Sequence, residues 1–86
     1  MKVNLPTPLV EYTDGQRDVE ATGDTLAALL QDLDRRYPGI RFRMIDEQGQ
    51  IRAHIKFFVN AALQRSLAAP LQRNDDILIV AALSGG

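Results

Sequence analysis

Asp75-Asp76-Ile77-Leu78-Ile79-Val80-Ala81-Ala82-Leu83-Ser84-Gly85-Gly86 is the stretch around which the chain is organised. Its apolar run, Ile77 to Val80, has no polar position on either face, the mark of a central strand in a sheet. Six residues, Ala81 to Gly86, follow that run. Extended chain covers about 3.3 Å per residue, so a carboxylate on Gly86 is expected to stand roughly 20 Å off the fold, far enough to enter another protein's active site. Gly85 and Gly86 have no Cβ and suit a narrow channel, and Ser84 adds little bulk. The folded domain is expected to span 1–83, with 84–86 a flexible C-terminal tail.

Pro70-Leu71-Gln72-Arg73-Asn74-Asp75 turns the chain into this strand, and Asn74 is of a type that accepts left-handed backbone angles cheaply. Before it, Ile51, Ala53, Ile55, Phe57 and Val59 alternate with Arg52, His54, Lys56 and Phe58, which predicts a strand over 51–59 with His54 on its polar face. Asn60 to Ala69 supply a short strand or turn carrying Leu63 and Leu67. Two strands open the chain. Val3 and Leu5 share one face of the first, Val19 and Ala21 one face of the second, and a long loop over 7–16 joins them, with Leu9, Val10 and Tyr12 over the core and Asp14-Gly15 as its turn.

One helix is expected. Gly23-Asp24-Thr25 breaks the second strand and supplies a capping side chain, and Leu26, Leu29, Leu30, Leu33 and Tyr37 then recur at helical spacing until Pro38-Gly39. A single apolar stripe buries a single helix face, so this helix lies across one side of a sheet. Ile40 to Gln50 read equally as a helical turn or a short strand.

A conflict follows from that count. The final strand is apolar on both sides, yet one helix covers only one side. With Ile77 and Ile79 under the helix, Leu78 and Val80 face outward beside Phe58 if the two strands are neighbours. Contiguous apolar patches of this kind tend to mark interaction surfaces, so Phe58, Leu78 and Val80 are the candidate partner-binding residues. A homodimer contact, or Phe58 tucked beneath the 40–50 segment, would use the same residues differently.

Composition narrows the function classes. Eighty-six residues make one domain. With no cysteine and a single histidine, His54, the chain has neither thiol chemistry nor a two-histidine metal site, and no catalytic residue or metal ligand is assigned. Ten basic and eleven acidic side chains give a net charge of −1 without a basic stripe, which disfavours nucleic acid. Arg35-Arg36 sit where the helix ends and complement its dipole, and Arg41-Phe42-Arg43 is the other basic cluster. No run suits a signal peptide or a membrane span, so no membrane partner and a cytoplasmic location are expected.

Strand, strand, helix, strand, short strand, strand and a Gly-Gly end is the order of the ubiquitin-like β-grasp, an α+β fold with a mixed sheet of four to five strands and one main helix. The chain resembles the MoaD/ThiS family of sulfur-carrier proteins in three places: Gly23-Asp24-Thr25-Leu26 with Leu29, Leu30 and Leu33; Phe58-Val59-Asn60; and Pro70 to Asp75 followed by Ile77 to Val80 and Ser84-Gly85-Gly86. Arg73-Asn74 stands where the family usually has Asp-Gly, and Ala81-Ala82 where prolines are often found. Its length and its 40–50 segment are more similar to the molybdopterin-synthase small subunit and the cysteine-synthesis carriers than to the thiamin carriers. The resemblance implies a carrier, not an independent enzyme, with no bound cofactor. An activating enzyme would spend ATP to adenylate Gly86, and a sulfur donor would convert the adenylate to a thiocarboxylate for a downstream sulfur-accepting enzyme. Conjugation of Gly86 to lysine amines, as in ubiquitin-like modifiers, and a binding-only domain are the alternatives.

Overall fold

In a computed structural model, which describes residues 1–82, the alternation around Val3 forms β1 (Lys2–Asn4), paired antiparallel with β2 (Asp18–Glu20). The connection between them is a 3-10 helix over Thr7–Thr13 where a loop was expected. Pro8 sits in its first turn, where a missing N–H costs nothing, and Asp14 and Gly15, both at positive φ (54° and 87°), reverse the chain after it. Leu9 enters the core, and Val10 and Tyr12 pack against its edge, as their apolar character suggested.

The helix, α1 (Leu26–Arg36), begins where the capping signal places it: the Thr25 hydroxyl accepts from the amide of Ala28 at 3.2 Å. The amides of Leu26 and Ala27 donate to the carbonyls of Ala69 and Leu67, so a distant segment satisfies the helix start that the cap leaves open. Gly23 is needed for a different reason from strand breaking. A Cβ there would lie 2.3 Å from the backbone nitrogen of Leu29, so the strand end passes directly against the helix. Leu26, Leu29, Leu30 and Leu33 are completely buried. Asp32, outside the leucine stripe, ties the exit of β2 to the helix: it accepts from the Thr22 amide at 2.9 Å and from Arg36 Nε at 2.9 Å, and also pairs with Arg35.

β3 (Ile55–Val59), β4 (Ala62–Gln64) and β5 (Asp76–Ala81) complete one five-stranded sheet in the order β2-β1-β5-β3-β4. β5 runs parallel to β1 and antiparallel to β3, which puts the apolar run at the centre of the sheet, as its composition required. Val3, Phe57, Ile77 and Ile79 point under α1 and form the core with its leucines. This is the β-grasp arrangement.

Two expectations need correction, the bounds of the 51–59 strand and the role of Asn74, and the open reading of 40–50 is resolved as a helical turn. The strand predicted over 51–59 starts only at Ile55: Ile51 forms an isolated bridge with Ile45, Ala53 is exposed, and Ala53-His54 make a turn closed by the Ile55 amide on the Arg52 carbonyl. His54 is therefore a turn residue at the sheet's end, not part of a strand face. The 40–50 segment is a 3-10 turn, Arg41–Arg43, whose flanking Ile40, Met44 and Ile45 are fully buried in the helix-side core. Phe58 takes no part in that core and is not tucked beneath the segment. Asn74 does not use its left-handed tolerance; Asn60 (φ 51°) and Ala61 (φ 71°) do, as the two central residues of the β3–β4 hairpin. Finally, β5 continues through Ala81, and the Ala82 amide still donates to the His54 carbonyl at 2.8 Å. The expected tail reach falls on residues 83–86, outside the described residues. No helix among the described residues is long and apolar enough to cross a membrane.

Candidate functional site

The face of the sheet opposite α1 is built by register. Leu63, Phe58, Leu78, Asn4 and Asp18 stand directly across from one another on successive strands, because Phe58 pairs with both Leu63 and Leu78, Leu78 with Asn4, and Asn4 with Asp18. Val80 pairs with Lys56 in the parallel row, and Lys2 lies between Asp76 and Glu20 in the row on the other side. Phe58, Leu78 and Val80 are thus brought together as the alternation predicted. Leu78 is 41% exposed while its neighbours Ile77 and Ile79 are 2% and 1% exposed, so one strand separates two environments by parity alone.

Leu63, 38% exposed, extends this patch and was not singled out in the sequence. Nothing in Asn60 to Ala69 reveals which strand β4 will join, and the pairing partner decides the row. The patch grades from apolar to polar. Beyond Leu78 the Asn4 amide donates to Asp18 at 2.8 Å, and a cleft of about 310 Å³ lies beside Leu78 between Ala61, Asp76 and Lys2. A complementary partner surface would be apolar at its centre and basic on the side that meets Asp18, Glu20 and Asp76.

Asn60 holds the hairpin onto the start of β5, a role of the Val-Asn pair that alternation does not show. Its side-chain amide donates to Asp75 Oδ1 at 2.8 Å, its Oδ1 accepts from the Asp76 amide at 2.9 Å, and its own amide donates to the Asp76 carbonyl. Asp75 in turn closes the 72–75 turn by accepting from the Gln72 amide at 2.7 Å, and this bond, with the one from Asn60, holds its carboxyl below the usual range. The Asp75 side chain does here what a glycine-based turn would do by conformation. Asn74 therefore has no unusual angle to supply.

β5 delivers the chain to the edge of this face at Ala81 and Ala82. Ser84, Gly85 and Gly86, the residues expected to thread and react, lie outside the described residues. The tail root is flanked by a cleft of about 530 Å³ that contains Arg43, Arg52 and His54.

A sequence model of the ThiS family matches residues 3–86, from β1 through the Gly-Gly end. The chain belongs to the ThiS family. Among relatives, it is 35% identical to the sulfur carrier protein CysO of Mycobacterium tuberculosis over 89 aligned positions, covering 98% of this chain and 96% of that protein. The crystal structure of Mycobacterium tuberculosis CysO superposes with a TM-score of 0.90 at 34% identity, covering 95% of this chain and 98% of that one. The CysO of Amycolatopsis orientalis, crystallised in a BexX/CysO complex, gives 0.89 at 31% identity over 99% and 98% of the two chains. SAMP1 of Haloferax volcanii gives 0.80 at 26% identity over 100% and 98%. Membership of the ThiS family agrees with the mixed β-grasp sheet and extends to the last residue of the chain. The family resemblance drawn from Phe58-Val59-Asn60 and Pro70 to Asp75 falls on the two segments that Asn60 and Asp75 bond together.

Proposed function

We propose that this protein is a sulfur carrier, of the type that serves cysteine synthesis, whose Gly86 carboxylate is the site of loading. The observation that carries the reading is the likeness to the sulfur carrier CysO over 98% of the chain, on a fold whose central strand leads directly to the Gly-Gly end. A carboxylate is a poor acyl donor until one oxygen becomes a leaving group. Attack of Gly86 on the α-phosphate of ATP, held by an adenylating enzyme, releases pyrophosphate and leaves an acyl-adenylate. A sulfide-level donor then attacks the acyl carbon, AMP departs with the bonding electrons, and a thiocarboxylate remains for a sulfur-accepting enzyme. The carrier supplies the terminal group and a docking face and acts as a cosubstrate in the cytoplasm, with no resident cofactor.

The open sheet face is the contact for the adenylating enzyme in this reading. Phe58, Leu78, Val80 and Leu63 form its apolar centre, on β5 and on β3 and β4 to one side of it. Incubation with the cognate adenylating enzyme, ATP and sulfide should produce the mass gain of one oxygen-to-sulfur exchange, located at Gly86 by fragmentation. A gain elsewhere, or none with an enzyme that is demonstrably active, refutes the loading site.

A second reading has an observation of its own. SAMP1 of Haloferax volcanii, a small archaeal modifier protein, shares the fold at a TM-score of 0.80. The same adenylate would then pass Gly86 to lysine amines. Covalent ladders on a denaturing blot of cells expressing the chain, absent when Gly86 is removed, would favour that fate over the free carrier.

A further inference from the structure

Charge is unevenly spread over the open sheet face and the edge beside it. From Gln48 to Asn74 the chain carries no aspartate or glutamate, while Arg52, Lys56, Arg65 and Arg73 fall in that same stretch. The fold gathers three of them. Arg52, Lys56 and Arg65 line a cleft of about 210 Å³ on the β3–β4 side of the sheet, together with Leu63 and without an acidic residue. Lys56 and Arg65 are exposed, and none of the three belongs to the ion pairs of the described residues, which join Met1 to Glu20 and Asp32 to Arg35 and Arg36. Arg52 is held in place: its Nε donates to the Phe42 carbonyl at 2.8 Å, and its guanidinium lies 4.6 Å from the centre of the Phe42 ring. Its two Nη groups have no acceptor among the described residues, so a planar fork already anchored at Nε stands open. The group that matches such a fork is a carboxylate or another planar anion.

The position of this basic rim points to a protein partner. Leu63 belongs both to the cleft and to the apolar patch, and Lys56 faces Val80 across the β3–β5 pair, about 6.6 Å along the strands from Phe58 and Leu78. Rim and patch are therefore one continuous surface. Beyond Leu78, on the far side of the patch, the same face ends in Asp18 and Asp76. A nucleic-acid backbone, negative throughout, would be attracted at one end of this face and repelled at the other, whereas a folded protein can present acidic, apolar and basic groups in that order. We propose that Arg52, Lys56 and Arg65 receive carboxylates of the adenylating enzyme as its apolar surface seats on Phe58, Leu63 and Leu78. The proposal deepens the sulfur-carrier reading and takes from it only the identity of the partner. Because the two ends of the face carry opposite signs, a reversed seating would set like charges against each other. The rim thus fixes the direction in which β5 is presented to the enzyme.

The test is steady-state adenylation of the full chain by the cognate enzyme, with the carrier concentration varied and binding measured in parallel. An exposed ion pair is worth roughly 1.5- to 5-fold in affinity. Lys56→Glu/Arg65→Glu replaces two attractions by two repulsions, so it should raise KM for the carrier about tenfold in low salt, with the effect in KM rather than kcat. In about 1 M salt the difference should shrink to within about twofold. Both positions are exposed, and the double variant should melt within a few degrees of wild type. Arg52→Lys keeps the charge without the fork and should raise KM about threefold. Arg73→Glu, an equal change of net charge outside the rim, should leave KM as it is. A KM of wild-type size in the double variant overturns the rim, as does an increase that persists in high salt or is matched by Arg73→Glu. Retention of a single-stranded oligonucleotide by wild type and not by the double variant, with KM unmoved, overturns it in favour of nucleic acid. If the double variant binds the enzyme about tenfold more weakly than wild type, yet neither is adenylated, the rim stands and the carrier reading falls. Failure of wild type to bind an enzyme that is active on another carrier refutes both.

Discussion

Leu78→Asp and Ile79→Asp place the same carboxylate on adjacent residues of the central strand, and the two should have different consequences. Ile79 is 1% exposed in the core under α1. Its replacement forfeits the burial of a full aliphatic side chain, about 1.5–3 kcal/mol, and leaves a carboxylate with no partner among leucines and Phe57, which costs several kcal/mol more. A chain of this length has a total stability of only about 5–10 kcal/mol, so Ile79→Asp should unfold it. Leu78 is 41% exposed and stands between Phe58 and Asn4. Its remaining burial is worth roughly 1–2 kcal/mol, and the poor fit of aspartate in a strand adds up to about 1. Leu78→Asp should therefore remain folded with Tm lowered by about 5–15 °C, and its affinity for the adenylating enzyme should fall at least tenfold. Calorimetry measures the first effect and titration of the folded variant into the enzyme the second. Equal unfolding by both variants would refute the assignment of faces, and undiminished binding by folded Leu78→Asp would remove the open face from the partner contact.

Asp32 should make the fold acid-sensitive. Its bond from the Thr22 amide, helped by Arg35 and Arg36, holds its pKa at about 2, below the usual carboxylate value, so the stabilisation is complete above about pH 4 and is lost as pH falls through about 2. Asp32→Asn should cost about 1–2 kcal/mol at pH 7, and its Tm should converge with that of wild type near pH 2; a constant difference across that range would show that charge is not the cause. Ala61→Gly should raise Tm by a few degrees, because alanine at φ 71° carries a left-handed penalty of about 1–2 kcal/mol that exceeds the entropy cost of glycine; a lower Tm would mean the hairpin is not strained there. One alanine added after Gly86 should leave Tm unchanged but displace the carboxylate by about 3.3 Å, lowering ATP–pyrophosphate exchange on the order of 100-fold or more; normal exchange with the extension intact would exclude loading at a fixed terminal position.

Local periodicity determined most of the architecture. Val3 and Leu5, Val19 and Ala21, and the leucine stripe of α1 are buried because side-chain direction repeats every 2 residues in a strand and every 3.6 in a helix, which the order of apolar residues reveals. The same parity, applied to Ile77 to Val80 with only one helix available, located Phe58, Leu78 and Val80 on the uncovered face before any strand was paired. Tertiary structure decided what depends on which distant groups meet. The alternation through Ile51 and Ala53 did not become strand because β3 has β5 beside it only from Ile55 onward, where Ile55 faces Ala81. Leu63 joined the patch through its pairing with Phe58, and Asn60 rather than Asn74 took the left-handed angle because the hairpin's two-residue connection demands it and Asp75 closes the other turn. Asp32 and Gly23 owe their importance to the passage of the β2 exit against α1, and Arg43 and Arg52 meet Ala81 only because the 3-10 elements fold over the end of the sheet. Each of these is a contact between segments far apart in sequence, and the direction of a side chain relative to its own backbone carries no information about which other segment will arrive to meet it.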